Sequence, residues 1–143
     1  MSQITVEVQV CHIDAFGHVN NARFLEFFEA GKWDFFGKSG KRQALLDAGY
    51  ALVVTNAQVS YVRPVKLGDT LNITTSLECI TPREVQLRIE ARNAAGKMCV
   101  TSLMTHCFLD KSGRPIELND DMIAAMTFEC GDHAQDQAIA NLF

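Results

Sequence analysis

The sequence lacks the features that mark several common classes of protein. No apolar run approaches the ~20 residues that a bilayer-crossing helix needs, so we expect no membrane span. Basic residues are in deficit, with 13 Lys and Arg against 17 Asp and Glu and a formal net charge of −4, which argues against nucleic-acid binding. The first residues show no basic stretch followed by an apolar block. We therefore expect no secretory signal and a cytoplasmic location.

Regular cysteine pairing and metal-ligand spacing are also lacking. The 5 cysteines are scattered without a Cys-x-x-Cys pair, and the 4 histidines show no ligand spacing. A disulfide scaffold and a structural zinc site are therefore not expected. We interpret the cysteines as mostly buried small side chains in a reducing compartment, and we expect neither a metal nor a cofactor.

No internal repeat, long linker or block of like charge divides the chain. Its 143 residues, 48% hydrophobic and 21% charged, are ordinary values for one folded domain. We expect the core to occupy about residues 3–118, followed by a short helix and a tail within 119–143.

Hydrophobic periodicity predicts a strand, a long helix, a short helix and then four strands in series. From Asn20 to Phe36, apolar residues recur at helical spacing over so much of the circumference that other elements must wrap this helix. Asn20 or Asn21 is the expected N-cap. The strands are expected at 4–10, 50–63, 70–80, 85–92 and 98–109, and the short helices at 41–48 and about 120–127.

Strands in series pair as antiparallel neighbours, which indicates an α+β fold with the helices segregated to one face. A curved antiparallel sheet of about five strands around the long helix would explain why this helix is apolar nearly all round. Such a half-open shell leaves sheet edges uncovered, so we expect a homodimer formed through the sheet. His106, on a strand apolar on both faces, is interpreted as a structural histidine whose hydrogen bonds are satisfied.

The segment 12–24, between the first strand and the long helix, is the part of the chain best suited to chemistry. Asp14, Gly17 and His18 stand just before the start of the helix. The first N–H groups of a helix have no intrahelical acceptor and would stabilise a carbonyl oxygen that gains negative charge. Asp14 could attack that carbonyl or activate water. The residues thus allow a minimal acyl-transfer site, although such an Asp also serves as a cap or Asx turn, and such a His as a loop hydrogen-bonding residue.

The same segment resembles the motif of a known family. Its run DAFGHVNN, from Asp14 to Asn21, with Phe24 and Glu29 behind it, resembles the signature of the hotdog-fold acyl-CoA thioesterases of the 4-hydroxybenzoyl-CoA thioesterase-like family. The resemblance extends through residues 61–64 and 68–69 and covers about 3–118. It implies a hotdog fold. It also implies an enzyme that hydrolyses an acyl thioester of coenzyme A or acyl carrier protein to the free acid. It also allows a homotetramer.

The resemblance implies roles for particular residues. It places the catalytic carboxylate, as general base or nucleophile, on Asp14 and the backbone oxyanion donor near Asn21, with Gly17 as the glycine of the motif. His18 and Asn20 are candidates for positioning water or substrate. The candidate substrate-binding residues are Phe24, Tyr61, Arg63 and Lys66. Phe24 stands where the family often has Tyr, so no role of that phenol is transferred.

Several alternatives remain open from the sequence. Related hotdog branches use a Glu on the central helix, but Glu26 and Glu29 are interpreted as structural. Coenzyme A phosphates could meet cations either at Arg63 and Lys66 or in a second basic cluster at Lys38, Lys41 and Arg42. The chain could instead be a non-catalytic acyl-binding module or a hotdog acyl dehydratase or hydratase.

Overall fold

The structure, a computed structural model, describes residues 1–127. The tail expected after the last helix lies outside the described residues. In chain order the elements are β1 Ser2–Glu7, a 3-10 turn Val10–His12, α1 Asn21–Lys38, α2 Arg42–Asp47, β2 Ala51–Tyr61, β3 Thr70–Ile80, β4 Val85–Asn93, β5 Met98–Leu109, β6 Pro115–Ile116 and α3 Asp120–Thr127.

The strands form one antiparallel sheet in the spatial order β1-β3-β4-β5-β2, with β6 paired to β5. This confirms the predicted α+β architecture of a curved sheet with a long helix packed against it. The sixth strand was not predicted, because two residues are too short to show an alternating pattern. Both β1 and β2 have one edge without a partner strand within residues 1–127. None of the described helices is long and apolar enough to span a membrane.

α1 packs against the sheet, mainly on β1, β3 and β4. Its buried side is almost entirely aromatic, and rings such as Phe28 and Phe35 are at most 1% exposed. Gly31 allows the closest approach of helix and sheet: a Cβ there would lie 2.9 Å from Thr75 Oγ1 and 3.0 Å from Ile73 Cγ2. The missing side chain therefore sets the depth at which α1 is seated.

Gly31→Ala is expected to destabilise the fold even though Ala is the better helix former. The added methyl would meet β3, and such overpacking typically costs about 1–3 kcal/mol in free energy of unfolding, measurable by urea denaturation. Gly37→Ala is the matched control in the same helix, since the three atoms nearest its Cβ all belong to the end of the long Arg42 side chain, which can move aside. It should be neutral or gain up to about 1 kcal/mol. Equal effects of the two substitutions would contradict this account of the packing.

The first strand is shorter than predicted. Alternation suggested that it continues to Val10, but β1 ends at Glu7 and Val10 is 76% exposed at the start of the 3-10 turn. A local hydrogen bond explains the difference, since the Gln9 N–H donates to His12 Nδ1 at 2.9 Å. This side chain-to-backbone bond competes with ladder pairing and turns the chain.

The buried polar side chains include one cation of α1 and one imidazole of β5. Lys32 is 5% exposed and its ammonium pairs with Glu29 Oε1 at 2.9 Å. His106 is fully buried on β5. Neither ring nitrogen has a hydrogen-bond partner within residues 1–127, so the predicted satisfaction of its hydrogen bonds is not seen in this part of the chain. Burial and then the nearby Lys32 charge lower the pKa of His106 from 6.5 to about 4. The imidazole is therefore neutral at pH 7.

Candidate active site

The residues between β1 and α1 fold into a closed loop, the Asp14 loop (residues 13–19). Ile13 and Val19 form an isolated antiparallel bridge at its base. Across the loop the Asp14 N–H donates to the His18 carbonyl at 2.9 Å, and the Gly17 N–H donates to the Asp14 carbonyl at 3.1 Å. Gly17 adopts a φ of 79°, a left-handed conformation that L side chains rarely take, which explains the glycine of the motif.

Two further backbone bonds fix this loop to the rest of the molecule. The Val19 N–H donates to the Val65 carbonyl at 2.7 Å, and the Asn20 N–H donates to the His12 carbonyl at 2.9 Å. The first bond brings the segment after β2 beside the loop. Residues distant in sequence therefore form opposite walls of one depression.

That depression is a cleft with a volume of about 500 Å³. Its lining residues are Asp14, Phe16, His18, Val19, Asn21, Phe24, Tyr61, Val62, Arg63, Pro64 and Val65. The structure thus brings together six of the residues singled out from the sequence, namely Asp14, His18, Asn21, Phe24, Tyr61 and Arg63. Gly17, Asn20 and Lys66 do not line the cleft.

Asp14 is half-buried at the wall of the cleft. Its Oδ1 accepts a hydrogen bond from the Phe16 N–H at 2.9 Å, which is the Asx turn that the sequence left open. The turn does not exclude a chemical role. It fixes the orientation of the carboxylate, and within the described residues the second oxygen takes no hydrogen bond.

The helix start beside Asp14 presents a free donor. Asn20 is the N-cap, and its Oδ1 accepts from the Ala22 N–H at 2.9 Å while its carbonyl accepts from the Arg23 N–H at 2.9 Å. No acceptor within residues 1–127 is assigned to the Asn21 N–H. The first N–H of the helix is therefore available to a carbonyl oxygen in the cleft.

The far wall of the cleft is aromatic. The Tyr61 hydroxyl donates to the Asn21 carbonyl at 2.9 Å, and its ring meets the buried Phe24 ring edge-on with centroids 5.9 Å apart. Arg63 Nη1 donates to the Met98 carbonyl at 2.7 Å, which holds the guanidinium near the cleft. Phe16, 86% exposed, also lines the cleft and was not singled out from the sequence, although it lies within the quoted motif.

The remaining cations lie elsewhere. Lys66 is exposed in a turn where its own N–H donates to Asp69 Oδ2 at 2.9 Å. In the second basic cluster Lys38 pairs with Asp34 at 3.2 Å. Lys41 pairs with Asp121 at 3.5 Å.

The third member of that cluster, Arg42, donates to the Trp33 carbonyl at 2.8 Å. None of the three cations of this cluster lines the cleft, whereas Arg63 does. Glu26 pairs with Arg23, and Glu29 with Lys32, and neither Glu lines the cleft.

Comparison with known proteins places the chain in a family. The family model of the thioesterase-like superfamily matches residues 8–126. Long-chain acyl-CoA thioesterase FadM of Escherichia coli (strain K12) is 30% identical over 122 residues, which cover 84% of this chain and 92% of that protein. The chain belongs to the thioesterase-like superfamily.

Solved structures similar to this chain agree with its membership of the superfamily. The crystal structure of YbaW, a probable thioesterase from Escherichia coli, has a TM-score of 0.80 at 30% identity and covers 87% of this chain and 97% of that chain. A Thermus thermophilus thioesterase complexed with coenzyme A and Zn has a TM-score of 0.78 over 88% and 91% of the chains. At 23% identity the latter shows the shared fold. Together the comparisons confirm the predicted hotdog fold and a thioester hydrolase.

Proposed function

We propose that this protein is an acyl-CoA thioesterase in which Asp14 and the backbone N–H of Asn21 act on the thioester carbonyl. The observation that carries the proposal is that both residues line the same cleft. Asp14 contributes a carboxylate oriented by its turn, and the start of α1 contributes an unengaged donor at the positive end of the helix dipole. A carboxylate and an oxyanion donor are the minimum that acyl transfer to water needs.

In the general-base form, Asp14 takes a proton from water as the water oxygen attacks the carbonyl carbon. The carbonyl oxygen becomes negative and accepts a hydrogen bond from the Asn21 N–H. When the intermediate collapses, the carbon–sulfur bond breaks and the thiolate leaves. It takes up the proton that Asp14 had removed from water and departs as the thiol. In the nucleophilic form, the carboxylate attacks first and a mixed anhydride is then hydrolysed.

Isotope labelling tests for the nucleophilic form, since only hydrolysis of an anhydride at the aspartyl carbonyl carries a water oxygen into Asp14. A single turnover in ¹⁸O-water leaves the label in the product acid alone if Asp14 is the base. It leaves label in the Asp14 carboxylate if an anhydride forms and water attacks the aspartyl carbonyl. Mass spectrometry of the peptide that contains Asp14 reads the result.

Apolar side chains suit the cleft to an acyl chain, and the similarity to a long-chain acyl-CoA thioesterase favours an aliphatic one. Phe24, Tyr61, Val62 and Val65 supply this surface. Arg63 lies at the same wall and is the cation best placed for a coenzyme A phosphate, with the exposed Lys66 three residues further on. His18 lines the cleft and is retained as a group that positions water, whereas the Asn20 side chain is engaged in capping.

A thiol-release assay with acyl-CoAs of increasing chain length, and with an acyl carrier protein thioester, tests the proposal. We expect stoichiometric release of free thiol and acid, with a preference that depends on chain length. Tight binding of acyl-CoA without thiol release would favour the acyl-binding module. Conversion of an enoyl-CoA to its hydroxyacyl-CoA, with the thioester intact, would favour the hydratase. Within the proposal the reaction takes place in the cytoplasm, where the buried Cys99 and Cys107 remain thiols.

We also propose a homodimer formed at the free edge of β2. This strand is 11 residues long and carries neither charge nor proline, whereas edge strands that avoid pairing usually carry such residues. Pairing of two β2 strands about a two-fold axis would continue the sheet and cover exposed side chains such as Val54, 42% exposed, and Tyr61, 46% exposed.

A charge at the centre of β2 is expected to break this dimer. In a two-fold pairing, Asn56→Lys would bring two like charges close together, so the dimer should dissociate at least tenfold more readily. Gln3→Lys, on the other edge strand, is the matched control and should leave the molecular mass of the particle in solution at that of the wild-type dimer. Sedimentation equilibrium measures both. A wild-type chain that is monomeric at micromolar concentration would refute the dimer.

A further inference from the structure

Tyr61 joins two elements that otherwise make little contact. α1 packs mainly on β1, β3 and β4, whereas Tyr61 is the last residue of β2 at the edge of the sheet. Its hydroxyl nevertheless donates to the carbonyl of Asn21, the first residue of α1, at 2.9 Å and 40 positions away in sequence. The hydrogen bond crosses the wall of the cleft.

The Tyr61 side chain is anchored at two separable points. Its ring contacts Phe24 edge-on at an interplanar angle of 69°, and Phe24 is itself only 2% exposed. Its hydroxyl contacts Asn21. Replacement by Phe removes the second anchor and keeps the first.

The bond acts on the part of the helix that needs external support. The first turn of a helix lacks half of its hydrogen bonds and frays readily. Asn20 holds this turn from the preceding residue through the Ala22 and Arg23 N–H groups. Tyr61 holds it from the cleft side, at the residue whose own N–H faces the substrate in the proposed function.

We propose that Tyr61 is a positioning residue, which fixes the first turn of α1 so that the Asn21 N–H meets the oxyanion. This rests on the proposed function of the cleft. It adds a positioning role for the Tyr61 hydroxyl to the acyl-binding surface that the Tyr61 ring supplies. An oxyanion donor must lie at hydrogen-bonding distance from where the charge develops, and displacement by about 1 Å can cost 100-fold in rate.

The Tyr61 hydroxyl must carry its proton to donate this hydrogen bond. Partial burial raises the pKa of Tyr61 above its ordinary value. The hydroxyl therefore keeps its proton throughout the range in which thioesters are normally assayed.

Tyr61→Phe tests this role, with Tyr50→Phe as the matched control. Tyr50 is the other tyrosine of the chain, half-buried against the core and outside the cleft lining. For Tyr61→Phe we expect kcat for the best acyl-CoA to fall by roughly 10- to 100-fold with KM nearly unchanged. Tyr50→Phe should leave both constants unchanged. A rise in KM at constant kcat would show that Tyr61 binds substrate directly and would overturn the inference.

Amide hydrogen exchange supplies a readout that needs no substrate. In Tyr61→Phe the amides at the start of α1 should exchange about tenfold faster, while those in the middle of α1 keep their protection. Faster exchange throughout the molecule would indicate general destabilisation and contradict the inference, as would unchanged exchange. If the wild type hydrolyses no thioester, the proposed function fails, but exchange still tests the support of the helix start. If the wild type is active and Tyr61→Phe matches it, the positioning role alone fails.

Discussion

Asp14→Asn is expected to lower kcat for acyl-CoA hydrolysis by roughly 10²- to 10⁴-fold, the range that a general base supplies. The substitution is informative because Asn keeps an oxygen at the position of Oδ1. That oxygen can still accept the Phe16 N–H, which lies 2.9 Å from Oδ1 in the structure, so the loop should keep its shape. The loss would then come from the missing carboxylate charge. Thiol release under saturating substrate measures it.

Asp47→Asn provides the matched control, since it removes one carboxylate from α2, outside the cleft lining. It should leave kcat unchanged. Binding of a non-hydrolysable acyl-CoA analogue to Asp14→Asn should stay within about threefold of wild type, because the effect belongs to the transition state. Hydrolysis that survives Asp14→Asn undiminished would remove Asp14 from the mechanism.

His106 is expected to make the protein less stable in acid. The pKa of its imidazole is about 4 in the folded chain and 6.5 when unperturbed, chiefly because of burial and then of the Lys32 charge. Above pH 6.5 the group is neutral in both states and has no effect. As the pH falls further, the unfolded chain binds a proton that the folded chain does not, so unfolding becomes more favourable. The cost is complete below about pH 4 and amounts to about 3 kcal/mol.

Comparison with His106→Phe isolates this contribution from that of the carboxylates. Phe keeps a ring of similar size among the buried side chains of β5 and its neighbours but cannot bind a proton. Urea unfolding at pH 7 and at pH 4.5 should show a smaller loss of stability for the variant, by roughly 2–3 kcal/mol. If the free energy of unfolding falls equally for wild type and variant between pH 7 and pH 4.5, then protonation of His106 does not contribute to the loss of stability in acid.

The fold was predictable where burial leaves a regular pattern. The strands Thr70–Ile80 and Met98–Leu109 have the predicted bounds, since each alternates or is apolar over its whole length. α1 was recognisable from the apolar residues that recur at helical spacing on its sheet-facing side, whereas Leu25 and Trp33 on its outer side are 44% and 37% exposed. β1 was overextended because the pattern of apolar residues does not register the local bond of Gln9 to His12.

The candidate site was predictable only where it is local. Asp14, Gly17 and the helix start share one segment, so their proximity follows from the chain itself. The sequence could not decide between Asn20 and Asn21 as N-cap, which depends on the geometry of one side-chain oxygen. The bond from Tyr61 to Asn21 spans 40 positions and needs the sheet to exist first.

Sequence proximity was also an incomplete guide to the cations of the site. Lys66 was grouped with Arg63 because the two are close in the chain. The turn that Asp69 caps instead leaves Lys66 exposed outside the cleft lining. Neighbours in sequence on either side of a tight turn need not share a surface.

Closure of the Asp14 loop by main-chain bonds separates what must be retained from what is free to diverge. The bridge between Ile13 and Val19 and the bond from Val19 to Val65 depend on main-chain atoms, not on the side chains at the loop tip. The tip residue Phe16 is 86% exposed and reaches the mouth of the cleft. Substitution of the side chain at such a position can alter which acyl groups enter the cleft without moving the Asp14 carboxylate. Selectivity can therefore drift between descendants of one ancestor while their chemistry is inherited intact.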